Sequence, residues 1–142
     1  GVVFWVDETS QHGLVAATFD QSSGIHWGYN NYYEQKIIRN GIYAGMLNTE
    51  RIISNQQTSS SKAANISIIH YGGNYGDWYL PSRYELKLLY QQKATVGNLA
   101  NTYYWTSNMG SFNKAFARHF GSGSGGKFDK ESNFRVRAIR RF

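Results

Sequence analysis

The chain has 142 residues, 41% hydrophobic and 17% charged, with a formal net charge of +6. That length and balance fit one folded domain, residues 1–142, with a sizeable core, and exclude a disordered chain. There is no cysteine, which rules out disulfides, thiolate metal sites and cysteine nucleophiles, and no apolar run approaches the ~20 residues that cross a bilayer.

Residues 2–6 form a near-continuous apolar run, which predicts a core strand. A strand that begins so early leads us to expect a longer parent chain with a segment before Gly1. Residues 7–13 read as a turn, 14–19 as the returning strand, 20–24 as a second turn and 25–27 as a short third strand. The Asn- and Tyr-rich stretch 28–39 has no period and reads as a surface loop. Asn48 is a good N-cap residue, with Glu50 in the first turn after it, so a helix is predicted to start there, with Ile52 and Ile53 on its apolar side. A polar break follows at 56–61. Residues 62–71 predict a second helix, with Ala63, Ile66 and His70 on one face, ended by the glycines at 72–76.

The clearest local signal comes next. Leu80 precedes Pro81 and is biased to an extended backbone. Ser82 and Glu85 then have the spacing of a capping box, and Leu86, Leu89 and Tyr90 supply the buried stripe of a helix that stops at Gly97-Asn98. Strands return at 103–107 and 114–120, with a glycine-rich hairpin at 121–126 answered by 127–129. From 134 to 138 the residues alternate, with Phe134, Val136 and Ala138 on one face and Arg135 and Arg137 on the other. The alternation slips at Ile139, which predicts a bulge or burial on both sides. Strands, then two to three helices, then strands predict an α+β domain with an antiparallel sheet.

The charge is unevenly placed. Residues 111–142 carry eight Lys/Arg and two Asp/Glu, the whole formal excess, while residues 1–110 balance to zero. A neutral body with a cationic last third suggests a surface for a polyanion. Ordinary solvated strand faces account for the same charges.

In their order and spacing, Val2-Val3-Phe4-Trp5-Val6-Asp7, Gln11-His12-Gly13-Leu14-Val15-Ala16-Ala17, Ile25-His26-Trp27, Asp77-Trp78-Tyr79-Leu80-Pro81-Ser82, Glu85-Leu86, Tyr104-Trp105-Thr106-Ser107 and Arg135-Val136-Arg137-Ala138-Ile139-Arg140 resemble the C-terminal domains of the Legionella collagen-like adhesin family. The resemblance runs nearly end to end. It implies a variant of the C-type-lectin or sulfatase-modifying-factor fold, hung on a collagen-like stalk outside the cell or at the bacterial surface. It also implies a homotrimer that binds sulfated glycosaminoglycans, heparin-like or chondroitin-sulfate-like. A folded trimeric head would help to align three stalk chains, so a trimerisation cap without glycan binding is the alternative function.

Catalysis and cofactors are not expected. The cysteines used by formylglycine-generating relatives are missing here. Pro81 lies between Leu80 and Ser82, not between the polar calcium and sugar ligands of the calcium-dependent lectins, and the acids are scattered, against calcium's need for several carboxylates. His12, His26, His70 and His119 have no metal-ligand spacing, and capping accounts for Ser82. The glycine run at 121–126 joins strands and is no phosphate cradle.

The candidate glycan-binding residues are Lys114, Arg118, Lys127, Lys130, Arg135, Arg137 and Arg141, since arginine engages sulfate with paired bonds and lysine acts as a point charge. A structural role is an equal alternative for Arg137, and likewise for Arg140. Lys36 and Arg39 are outlying members. Tyr29, Tyr32, Tyr33 and Tyr43 read as core-edge residues, with sugar stacking or trimer contact as the alternative. Trp5, Trp27, Trp78 and Trp105 read as core. Nucleic-acid binding is disfavoured: no recognised motif is present, and the resemblance points outside the cell.

Overall fold

The computed structural model describes residues 1–28, 35–55 and 62–142, with the side chains of residues 35 and 36 left aside. Tyr29, Tyr32, Tyr33, the Lys36 side chain and the polar break at 56–61 lie outside the described residues. The chain forms one α+β domain. Its strands are β1 (Val2–Val6), β2 (Gly13–Ala16), β3 (Ser22–Ile25), β4 (Tyr103–Met109), β5 (Lys114–His119), β6 (Gly125–Asp129), β7 (Phe134–Val136) and β8 (Ile139–Arg141). Its α-helices are α1 (Ala44–Asn55), α2 (Ala63–Ile68), α3 (Arg83–Gln91) and the single turn α4 (Lys93–Val96), and a 3-10 helix spans Gln35–Ile38. Among the described residues no helix is long and apolar enough to cross a membrane.

The strands build two sheets, β1-β2-β8 and β3-β7-β4-β5-β6. All neighbours are antiparallel except β4 and β7, so the larger sheet is mixed, where the sequence pattern predicted an antiparallel one. β4 lies in its centre and is buried on both faces. Trp105 faces a cluster with Trp27, Ile37, Ile52, Leu80 and Val136. Its neighbour Tyr104 faces the other way, into Phe4, Leu14, Leu86, Leu89, Phe120 and Ile139. The alternation of a strand thus divides the core into two halves. Each buried large side chain contributes about 1.5–3 kcal/mol.

Among the described residues there are four α-helices where two to three were expected, the fourth a single turn, and three local expectations change as well. Helix α1 begins at Ala44, one turn before the predicted start, and Asn48 is inside it. The cap is supplied by another helix: Glu85 of α3 accepts from Tyr43 N at 2.8 Å and Gly45 N at 3.1 Å. The third strand begins at Ser22, inside the predicted turn, because Ser22 to Ile25 pair with β7. The slip at Ile139 is a change of sheet. Val136 pairs with β3, Ile139 pairs with Ala16 of β2, and the backbone between them is satisfied by Ala17 and Gln21. The capping box at Ser82 forms as read, with Ser82 Oγ accepting from Glu85 N at 3.2 Å and Glu85 Oε2 accepting from Ser82 N at 2.8 Å.

Candidate functional site

The β5–β6 hairpin carries Lys114, Arg118 and Lys127, cationic side chains of the last third that reach solvent. Ala115 and Ala117 of β5 point into the core, which turns Lys114, Phe116 and Arg118 outward. The register sets Lys114 opposite Asp129, Phe116 opposite Lys127 and Arg118 opposite Gly125. Since β6 is the edge of the sheet, this row sits at the rim of the molecule. Lys127 is exposed, with its ammonium 5.6 Å from the Phe116 ring centroid.

Helix α3 adds a cation that the sequence reading did not place here. Arg83, its first residue, lays its guanidinium 3.8 Å from the Phe116 centroid. A stacked guanidinium keeps its edge donors free for an anion. Arg118 is close enough to Arg83 that burial and the neighbouring charge both lower its pKa. One of its nitrogens is anchored on the Gly123 carbonyl of the hairpin loop. Among the described residues no carboxylate pairs with Arg83, Arg118 or Lys127. Two cations, Arg83 and Lys127, therefore meet at one aromatic ring, with Arg118 near Arg83 on the same outward row. The signal that was available for Arg83 is its place on a capped helix start, four residues before Lys87.

The other predicted residues are placed differently. Lys114 is bound to Asp129 at 2.7 Å, an exposed pair whose net contribution is about 0–1 kcal/mol. Arg135 bridges Asp20 at 2.9 Å. Arg137 is fully buried and bonds Asp20 at 2.8 Å together with the carbonyls of Ala17, Gly97 and Asn98. Tyr104 Oη donates to the same Asp20 at 2.9 Å. Arg135 and Arg137 are thus both directed onto one carboxylate, with Arg137 buried and Arg135 half-buried.

Lys130 is also fully buried. It donates to the Phe112 carbonyl at 2.7 Å and lies 5.2 Å from the Trp27 ring centroid. Burial pushes its pKa down to about 8. Lys130 and Arg137 are corrected from surface candidates to interior residues, because neither side chain reaches a polymer lying on the surface. Arg141 is exposed but belongs to the small sheet, 5.7 Å from the Tyr43 ring centroid. Arg140 is held by Asp77 at 2.7 and 2.9 Å and stacks 3.8 Å from Tyr75, the structural alternative given for it above. Trp27, Trp78 and Trp105 are buried, and Trp5 is half-buried.

Of the seven candidates, Arg118 and Lys127 come together, and Arg83 completes the group. Arg39 is joined to it through the backbone: the Asn108 side chain bonds both Arg39 O and Arg83 N. Among the described residues no three His, Asp or Glu side chains converge as metal ligands. No protein-family model matches the chain, and no curated protein matches it either.

Proposed function

We propose that this domain is a non-catalytic adhesin head that binds sulfated polysaccharides, heparin-like or chondroitin-sulfate-like, on the surface around Phe116. The observation that carries the reading is the meeting of Arg83 and Lys127 over that ring, with Arg118 close to Arg83 and, among the described residues, no carboxylate paired with any of the three. A sulfated chain offers closely spaced anions and hydroxyls, which suits planar guanidinium donors beside a flat apolar face. The position at a sheet rim suits a long polymer that lies across an open surface. The finer fold assignment, a variant of the C-type-lectin type, belongs to the same proposal, as does a place outside the cell. Its support is the small sheet, which takes strands from both ends of the chain and packs beside the larger one.

Heparin-affinity chromatography in a salt gradient tests this. Arg83→Ala/Lys127→Ala is expected to elute at clearly lower salt than the parent chain, while Lys114→Ala/Arg135→Ala, which removes the same number of charges, elutes close to it. Equal losses from both pairs would mean that net charge alone acts, and no loss from the first pair removes the site. A DNA column run at matched salt separates a sulfate preference from general polyanion binding.

A second reading, a trimerising cap for a stalk, is supported by an apolar patch on the small sheet. Val3, Val15, Tyr75, Trp78 and Phe142 line one shallow depression of about 320 Å³, and Val3, Tyr75 and Phe142 are 48%, 52% and 41% exposed. Contiguous exposed apolar surface of this kind marks an association face. Light scattering of Val3→Lys against the parent chain tests it: a trimer that becomes a monomer supports the cap, and a parent chain that is monomeric at high concentration rules it out.

A further inference from the structure

We propose that a second cleft, between the β1–β2 turn, β8 and the entrance to α1, binds a single acidic sugar unit: a hydroxylated ring that carries one carboxylate. The cleft holds about 610 Å³ and lies in the small sheet, apart from the β5–β6 rim. It therefore goes beyond the polymer surface proposed above and does not depend on it.

The charges that face the cleft are selective. Arg140 is neutralised there, with two nitrogens on Asp77 and its plane on Tyr75. The next residue, Arg141, lines the same cleft and has no carboxylate partner among the described residues. Asp7 lines it too. Its Oδ1 accepts from Thr9 N at 3.0 Å and Thr9 Oγ1 at 2.7 Å, and the Thr9 hydroxyl leads the contacts that hold the carboxyl below its usual range. Asp7 is thus ionised at neutral pH, and no cation pairs with it among the described residues. One guanidinium without an anion and one carboxylate without a cation open on the same space, too far apart to pair with each other. A ligand fits both when it offers a carboxylate to the first and hydroxyl donors to the second.

The third element is Tyr43. Its φ is +63°, the left-handed region that a tyrosine adopts only at a cost in backbone strain. The conformation is held from behind: Glu85 Oε1 accepts Tyr43 N at 2.8 Å, and Trp5 meets the ring edge-on at 6.5 Å. Held this way, Tyr43 stands as an aromatic wall of the cleft beside Arg141, with His12 and Phe142 among the other lining residues. An aromatic wall beside one cation and one anion suits the apolar face of a sugar ring between its acid and its hydroxyls, and suits a bare inorganic anion poorly.

Isothermal titration or NMR titration with sodium glucuronate is the test, with glucose and acetate as separate arms. Glucuronate is expected to bind in the millimolar range, and glucose and acetate each about fivefold weaker or more, since each lacks half of the match. Arg141→Ala and Asp7→Asn, both at accessible positions, are expected to remove glucuronate binding while circular dichroism and melting temperature stay near the parent values. Arg83→Ala/Lys127→Ala is expected to leave it unchanged, so loss of heparin binding and loss of this site are read apart. Acetate binding as tight as glucuronate, or glucuronate binding that survives Arg141→Ala, overturns the proposal.

Discussion

The side-chain oxygen of Asn108 accepts the backbone N–H of Arg83 at 2.8 Å, and its amide nitrogen donates to the Arg39 carbonyl at 2.9 Å. One buried residue of β4 thereby fixes where two arginines leave the fold. Asn108→Ala removes no charge, yet takes away the partner of the Arg83 N–H at a site that is 2% exposed, while the Arg39 carbonyl keeps its bond from Asn48 Nδ2. Leaving such a group unpaired costs about 1–3 kcal/mol. We expect urea unfolding to show a loss of that size. Heparin retention should also weaken in the variant at temperatures where it is fully folded, because Arg83 is no longer held over Phe116. Unchanged retention would show that Arg83 finds its position without Asn108.

The Asp20 network separates stability from binding. Asp20 collects Arg135, Arg137 and the Tyr104 hydroxyl, and Arg137 is fully buried. Removing one partner of a buried pair strands the other, at about 3–5 kcal/mol. Arg137→Ala and Asp20→Ala are each expected to lower stability on that scale, with the double variant well short of the sum. Arg135, only half-buried, should cost less. Heparin elution of Arg135→Ala, measured where the protein is folded, should stay close to that of the parent chain. A large drop would return Arg135 to the binding surface.

Local patterns were legible in the chain and distant partners were not. The Ser82–Glu85 capping box needs only a spacing of three residues, and it is where the sequence put it. The glycine hairpin was equally plain, and with it the outward row that carries Arg118 and Lys127. The alternation at 134–138 correctly set Phe134 and Val136 apart from Arg135 and Arg137. It could not say that both arginines are held on a carboxylate, because that carboxylate lies 115 residues earlier than Arg135. Asn48 misled for the same reason. It is a good cap by type, but the real cap is Glu85, which acts on Gly45 from 40 residues away. In the sequence Arg83 shows only as part of a helix start, since its stacking partner Phe116 belongs to another element.

Glu85 offers a sharper test of the fold. It is fully buried and accepts four hydrogen bonds, from Tyr43 N, Gly45 N, Ser82 N and the Tyr79 hydroxyl. Burial pushes its carboxyl up from the usual value, and the donors pull it back. One side chain thus closes the starts of α1 and α3, where helix dipoles also favour an anion. Glu85→Gln keeps the shape but turns one acceptor into a donor that faces N–H groups, so a loss of about 2 kcal/mol or more is expected in urea unfolding. Gly45 is fixed by the same contact. A Cβ there would stand 2.4 Å from Glu85 Oε2 and 2.6 Å from Ser82 N. Gly45→Ala should therefore destabilise by a similar or larger amount, although alanine normally favours a helix over glycine by about 1 kcal/mol. A stabilised Gly45→Ala would show that the two helix starts are not in contact.

Lys130 makes stability depend on alkaline pH. Its folded-state pKa is lowered to about 8 from 10.5 by burial. Between those two values the unfolded chain holds the proton that the folded chain has released. The unfolded state then binds more protons, so stability rises as pH increases through this window. At pH below 8 the buried ammonium is charged and its full desolvation cost remains. The span corresponds to an upper limit of about 3 kcal/mol. Urea unfolding at several pH values from 7 to 10.5, for the parent chain and for Lys130→Met, isolates this effect from the tyrosines and surface lysines that titrate in both. The parent chain should gain stability relative to the variant as pH rises. A difference between them that stays flat would mean that Lys130 titrates as an ordinary solvated lysine and is not held in the interior beside Trp27.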